Sequence, residues 1–199
     1  MSEIQETIEK AHEGEHGSFN RRVALVIAVL ALFLSFSETL GKGAQTEAVT
    51  ANIEASDLWA FFQAKSVRMT VVTTAAEAMA VTAGLAADPA AKDAITKQVE
   101  AWKRTSERYD SEPETKEGRK QLVERAKEAE EGRDLAMAKY HHYELASAAF
   151  QIGIVLASAA VITGMIGLVW FASALGLLGL VLTALGLFAP HAVPLIATL

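Results

Sequence analysis

Apolar residues fall into three long blocks in this chain and are sparse and periodic elsewhere. From Val23 to Phe36 only Ser35 interrupts the run, and from Ala146 to Ala189 no charged side chain occurs. In hydrocarbon only helices and closed barrels satisfy every backbone polar group, and nothing in these blocks alternates as a barrel strand does. The pattern predicts an all-α integral membrane protein with three transmembrane helices, at 22–40, 146–163 and 167–189. A polar acidic tail, 1–21, precedes them, an extramembrane helical coiled-coil domain covers 44–145, and a second tail, 190–199, closes the chain. The first span, Arg22 to Leu40, measures about 28 Å at ~1.5 Å per residue, just enough to cross. The last block is about twice the length one crossing needs. It has to reverse, and Gly164 and Gly167 bracket the best place, with Trp170 following at what would be interfacial depth. Gly153 and Ala157 in one arm, and Ala172, Gly176 and Gly179 in the other, would let the two arms approach closely.

The charged middle region reads as helix. Between Thr46 and Ala87 there is no proline and a single glycine, Gly84, before Asp88 and Pro89 supply an N-cap and a first-turn proline. Ile53, Ala60, Val67, Thr74 and Val81 lie seven apart, with Ala64, Val71, Ala78 and Leu85 between them. Such a seam requires a partner helix. After a turn at Ser111, Glu112 and Pro113, a later run repeats Leu122, Ala129, Ala136, Tyr143 and Phe150 every seven residues, with Ala126, Arg133, Tyr140, Ser147 and Ile154 interleaved. An antiparallel coiled-coil hairpin within one chain joins the two seams into a stalk about 60 Å long. Pairing of the seams between chains predicts the same pattern and stands as the alternative.

Charge narrows the function classes. The net charge is −6, and between Ala44 and Leu145 there are 14 basic and 18 acidic side chains with the signs interleaved. No basic stripe suits a nucleic acid. Cysteine is absent, which removes disulfides and thiolate metal sites. Arg21 and Arg22 precede the first span, and Lys42 is the only basic residue in the twenty that follow it. The amino terminus is therefore expected in the cytoplasm and the stalk outside. No A-x-A-like site follows the first apolar block, so it is expected to remain as an anchor rather than be cleaved.

The run Asp57, Leu58, Trp59, Ala60, Phe61, Phe62, Gln63, Ala64, Lys65, Ser66, Val67 and Arg68 resembles the W-x-[YF]-[YF]-Q-A-K-S-[IV]-[KR] signature of the bacterial membrane family known as domain of unknown function 4337. Arg133 and Asp134, His141 and His142, Glu144 to Ala146, and Ile154 to Ser158 resemble that family's approach to its second span. The resemblance covers nearly the whole chain. It implies a membrane protein and brings no activity, cofactor or catalytic residue; the chain itself is expected as a multi-pass protein of the bacterial inner membrane.

At 100° per residue, Trp59, Phe62, Gln63, Ser66 and Thr70 share one helix face, the seam forms a second, and Phe61, Lys65 and Arg68 a third. Two arrangements follow. Trp59 and Phe62 pack on the short middle helix near Trp102 or Tyr109 while the cations pair with acids. Alternatively, Phe61, Lys65 and Arg68 form an exposed aromatic and cationic patch. Trp59, Phe61, Phe62, Gln63, Lys65 and Arg68 are thus the candidate interaction residues. His12, Glu13, Gly14, Glu15 and His16 spell H-E-x-x-H, but in a polar glycine-containing tail without a cleft or third ligand this is not a peptidase site. Tyr140, His141, His142 and Tyr143 are expected as interfacial rings beside the second span. Glu38, at the outer end of the first span, is the candidate pore-mouth residue. No catalytic set, metal site or cofactor site emerges, so an enzyme is not expected. The expected partners are the lipid bilayer, further copies of the chain and an unidentified membrane protein, with no nucleic acid. The chain reads as a membrane-anchored homo-oligomeric scaffold or adaptor, or alternatively as a channel or transport accessory with Glu38 at the pore mouth.

Overall fold

The computed structural model describes residues 2–192, with side chains from Phe19 onward. The H-E-x-x-H side chains and residues 193–199 of the closing tail lie outside the described residues. Among the described residues four helices account for the architecture: α1 (Ser2–Leu85), α2 (Pro89–Asp110), α3 (Arg119–Thr163) and α4 (Ile166–Phe188). Among the described residues there is no strand. The chain divides into two compact units. An apolar unit joins α1 through Ala48 to the chain from Asp134 onward, and a charged unit comprises Val49–Arg133.

In the apolar unit, α1, α3 and α4 each contain a segment long and apolar enough to cross a membrane. Their packing depends on small residues. Ala172, Gly176, Gly179, Thr183 and Gly186 line the buried face of α4 at alternating spacings of four and three. A Cβ on Gly179 would lie 2.8 Å from the Phe150 ring, so the glycine is what lets that ring seat against α4. Phe150, fully buried, also stacks on Phe33 at 6.1 Å between centroids and clusters with Leu30 and Ala146. Val23, Ala157 and Ala172 form a second cluster. Ser37 is buried and its hydroxyl donates to the Tyr143 carbonyl at 3.0 Å, fixing α1 against α3. The chain reverses at Gly164, whose φ of +70° suits glycine and whose N–H bonds back to the Ala160 carbonyl at 2.9 Å.

His142 and Tyr143 do not present their rings to water as their sequence position suggests. Both are buried, and the His142 Nε2 lies 3.1 Å from the Pro190 carbonyl beyond the end of α4. Tyr143 belongs to the α3 seam, and His142, one position before it, is turned toward Gly186 of α4.

In the charged unit, α2 begins where Asp88 and Pro89 predict. The Asp88 carboxylate accepts from the Ala90 and Ala91 amides at 3.1 and 3.2 Å. Helix α3 starts at Arg119, later than the Ser111–Pro113 turn suggests. Gln121 holds the intervening loop by accepting from the Glu112 amide and donating to the Ser111 hydroxyl.

The hairpin expectation fails on the face that α1 uses. Ile53, Val67, Val71, Val81 and Leu85 are 56–82% exposed, and Ala60, Ala64, Thr74 and Ala78 are exposed with them. The face turned inward instead carries Ala55, Leu58, Lys65, Ala76 and Ala83, with Phe62 and Met69 half-buried. Moving from Ile53 to Ala55, or from Ala60 to Phe62, is a two-residue step and rotates the face by about 200°. The inward face carries the bulk, and Leu58, Trp59, Phe61 and Phe62 gain more from leaving water against Leu122 and Ala126 of α3 than the alanines and valines of the seam would. On α3, Leu122 and Ala126 of the seam are buried as its periodicity predicts, while Ala129 and Arg133 are half-buried.

Candidate functional site

The Trp59–Arg68 segment lies on α1 in the charged unit, and the structure divides its candidate residues between two faces. The Trp59 indole N–H donates to the Glu130 carboxylate on α3 at 2.9 Å, and its ring meets the Phe62 ring edge-on at 5.7 Å. Its polar partner is therefore α3 and not α2. Phe61 and Phe62 are half-buried, while Gln63 and Arg68 are exposed.

Lys65 corrects the patch expectation most sharply, because only 5% of it reaches solvent. Its ammonium donates to Glu112 at 3.3 Å and lies 3.8 Å from Glu117. Rings cover it as well: Phe61 and Tyr109 stand 5.4 and 5.6 Å from the ammonium. A buried ammonium needs this surrounding of carboxylate and ring quadrupoles to offset lost hydration. Partial burial acts to raise the Glu112 pKa, but hydrogen bonds from Lys65 and Thr115 and the charges of Lys65 and Arg108 outweigh it. The carboxyl is held below its ordinary value.

One turn along, Arg119 completes the arrangement from the start of α3. Its Nε donates to the Ser66 hydroxyl at 2.9 Å, its guanidinium lies 5.1 Å over the Phe62 ring, and it pairs with Asp110 at 3.6 Å. The Lys120 ammonium reaches the same Asp110 at 2.7 Å. The motif therefore ties α1 to the end of α2, the following loop and the first turn of α3. Tyr109 is expected beside the motif, though against Trp59 and Phe62 and not over Lys65, whereas Glu112, Arg119 and Glu130 are invisible to motif reading because they stand 47 to 71 positions from the residues they hold. The alternating charges of the region were the only signal, and they specify no pairing.

The domain family DUF4337, a domain of unknown function, matches residues 19–189. The chain belongs to this family. No curated protein and no solved structure matches it. For this DUF4337 member the W-x-F-F-Q-A-K-S-V-R segment has a physical account: Trp59, Phe62, Lys65 and Ser66 hold the charged unit together. Ala60, Gln63, Ala64, Val67 and Arg68 face outward.

Glu38 lies on α1 in the apolar unit, exposed, and accepts a hydrogen bond from the Gln151 amide at 3.4 Å. It borders an open groove of about 410 Å³ lined also by Lys42, Gln45, Tyr140 and Glu144. Gln151, the polar side chain on the α3 side of that groove, was overlooked because it sits inside an otherwise apolar block.

Proposed function

We propose that this DUF4337 protein is a membrane-anchored homo-oligomeric scaffold of the bacterial inner membrane, held by three spans and assembling through its helical unit. The observation that carries this reading is the exposed apolar seam on α1, running about 50 Å from Ile53 to Leu85. A largely apolar strip of that length, broken only by Asp57 and Thr74, marks a surface that is covered when the protein works. Anchoring is supported by the apolar unit, which turns Leu25, Leu32, Val155, Trp170, Phe171 and Leu177 outward, all at least 64% exposed. Arg21 and Arg22 before the first span favour a cytoplasmic amino terminus and a periplasmic helical unit.

The test has two parts on one preparation. Washing membranes with alkaline carbonate is expected to leave the protein in the pellet, and release into the supernatant contradicts the anchor. Native mass measurement of the detergent-extracted complex is expected to give an integral multiple of 21.3 kDa after bound detergent is removed. A single chain contradicts the scaffold.

A further inference from the structure

We infer that the exposed face of α1 pairs with the same face of a second copy, parallel and in register from Ile53 to Leu85. This rests on the scaffold reading and assigns that scaffold its interface. The spacing of the seam fixes the kind of partner. Exposed positions alternate by four and three over more than four heptads, an average period of 3.5, and that period matches another α-helix rather than a flat surface or an extended segment. The chain's own helices do not fill the place, since the α3 residues Leu122 and Ala126 pack on the opposite face of α1.

Three observations select a second copy. The first is register. Two chains held by identical spans in one bilayer present α1 at the same height and with the same direction. Val67 then meets Val67, Val71 meets Val71 and Ala64 meets Ala64 without offset. The small side chains at Ala60, Ala64 and Ala78 allow the backbones to approach closely.

The second is the absence of charge conflict along the flanks. In the parallel arrangement Gln63 lies beside Arg68 of the second copy, Ser56 beside its Phe61 and Glu77 beside its Thr82. No like charges meet there. Inside the seam, Asp57 is the one charged position and faces its counterpart. Two facing carboxylates repel, so this position weakens the pair and does not fix its register.

The third is extent. The seam and its flanking positions number about 20 per chain, the lower end of the 20–30 residues a side that stable interfaces use.

The chain contains no cysteine, so single-site disulfide trapping of the full-length protein in its membrane reads the arrangement directly. Val67→Cys and Val71→Cys are made separately, with Lys127→Cys, exposed on α3, as the control. Circular dichroism confirms unchanged helicity for each variant. With mild oxidant, both seam variants are expected to form covalent dimers at least tenfold faster than the control. Adding Asp57→Asn to Val67→Cys is expected to raise the trapped fraction, because it removes the self-facing charge.

Trapping of mixed Asp57→Cys and Val81→Cys chains, with none for Val67→Cys or Val71→Cys alone, would mean an antiparallel pair and overturn the inference. Absence of trapping at both seam positions, while the extracted complex keeps its multiple mass, would overturn this interface and leave the scaffold reading in place. A single-chain mass for the unmodified protein would remove both.

Discussion

The two long faces of α1 in the charged unit make an instructive pair. Both are rich in apolar residues and both follow helical spacing, yet one is buried by the chain itself and the other is bare. The buried face carries Leu58, Phe62 and Met69, with Lys65 locked between Glu112 and two rings. The bare face carries Ala60, Ala64, Val67, Val71 and Ala78 in a cleaner heptad. Bulk and specific polar partners decide which face a chain keeps for its own core. Regular small residues at period 3.5 mark a face suited to another helix, whichever chain supplies it.

Breaking the bare face should have the largest effect on assembly. Val67→Glu with Val71→Glu is expected to convert the extracted complex to single chains by native mass, while helicity and thermal midpoint stay near those of the unmodified protein. Loss of helicity alongside the mass would mean that the seam supports the fold itself. On the buried face, Leu122→Ala removes a fully buried side chain and should cost about 3 kcal/mol of stability in denaturant titration. The complex should nevertheless keep its mass below the transition. Equal loss of mass and stability in both variants would erase the distinction between the faces.

Acid should weaken the buried face selectively. Because the Glu112 carboxyl is held below its ordinary value in the folded chain, the stability it contributes is present at neutral pH and lost as pH falls through that lowered value. Thermal midpoints measured against pH should therefore fall on the acid side. In Lys65→Met, where the hydrogen bond and charge of Lys65 are gone and the Glu112 carboxyl returns toward its ordinary value, the acid-induced fall should be smaller. An unchanged profile would show that the pair does not form. The smallest expected effect is that of Trp59→Phe, which keeps the edge-on packing with Phe62 and loses the bond to Glu130. Its cost should be about 1 kcal/mol.

Much of the fold was legible because it rests on local rules. The three apolar helices follow from uninterrupted apolar runs, and the start of α2 from Asp88 and Pro89. The small residues Ala172, Gly176 and Gly179 marked the packed face of α4 before any neighbour was known. The α1 face was misjudged because periodicity reports that a stripe exists without saying who covers it. The site was less legible still. Lys65 reads in sequence either as paired with acids or as part of an exposed patch; the pairing is what the structure shows, and only the distant partners Glu112, Glu117 and Tyr109 make it a buried one. His142 was misplaced for a related reason, since it turns inward toward Gly186 of α4, which is distant in sequence.

The most direct test of the two-face account is the rate at which a maleimide labels Val67→Cys and Ala76→Cys in otherwise unmodified protein, followed as the protein is diluted in excess detergent. Ala76 is buried by its own chain, so that thiol should stay slow at every dilution. The Val67→Cys thiol should be slow when concentrated and become fast as the complex dissociates. A Val67→Cys rate that is fast and independent of concentration would contradict the account, because the seam would then be open in the assembled protein.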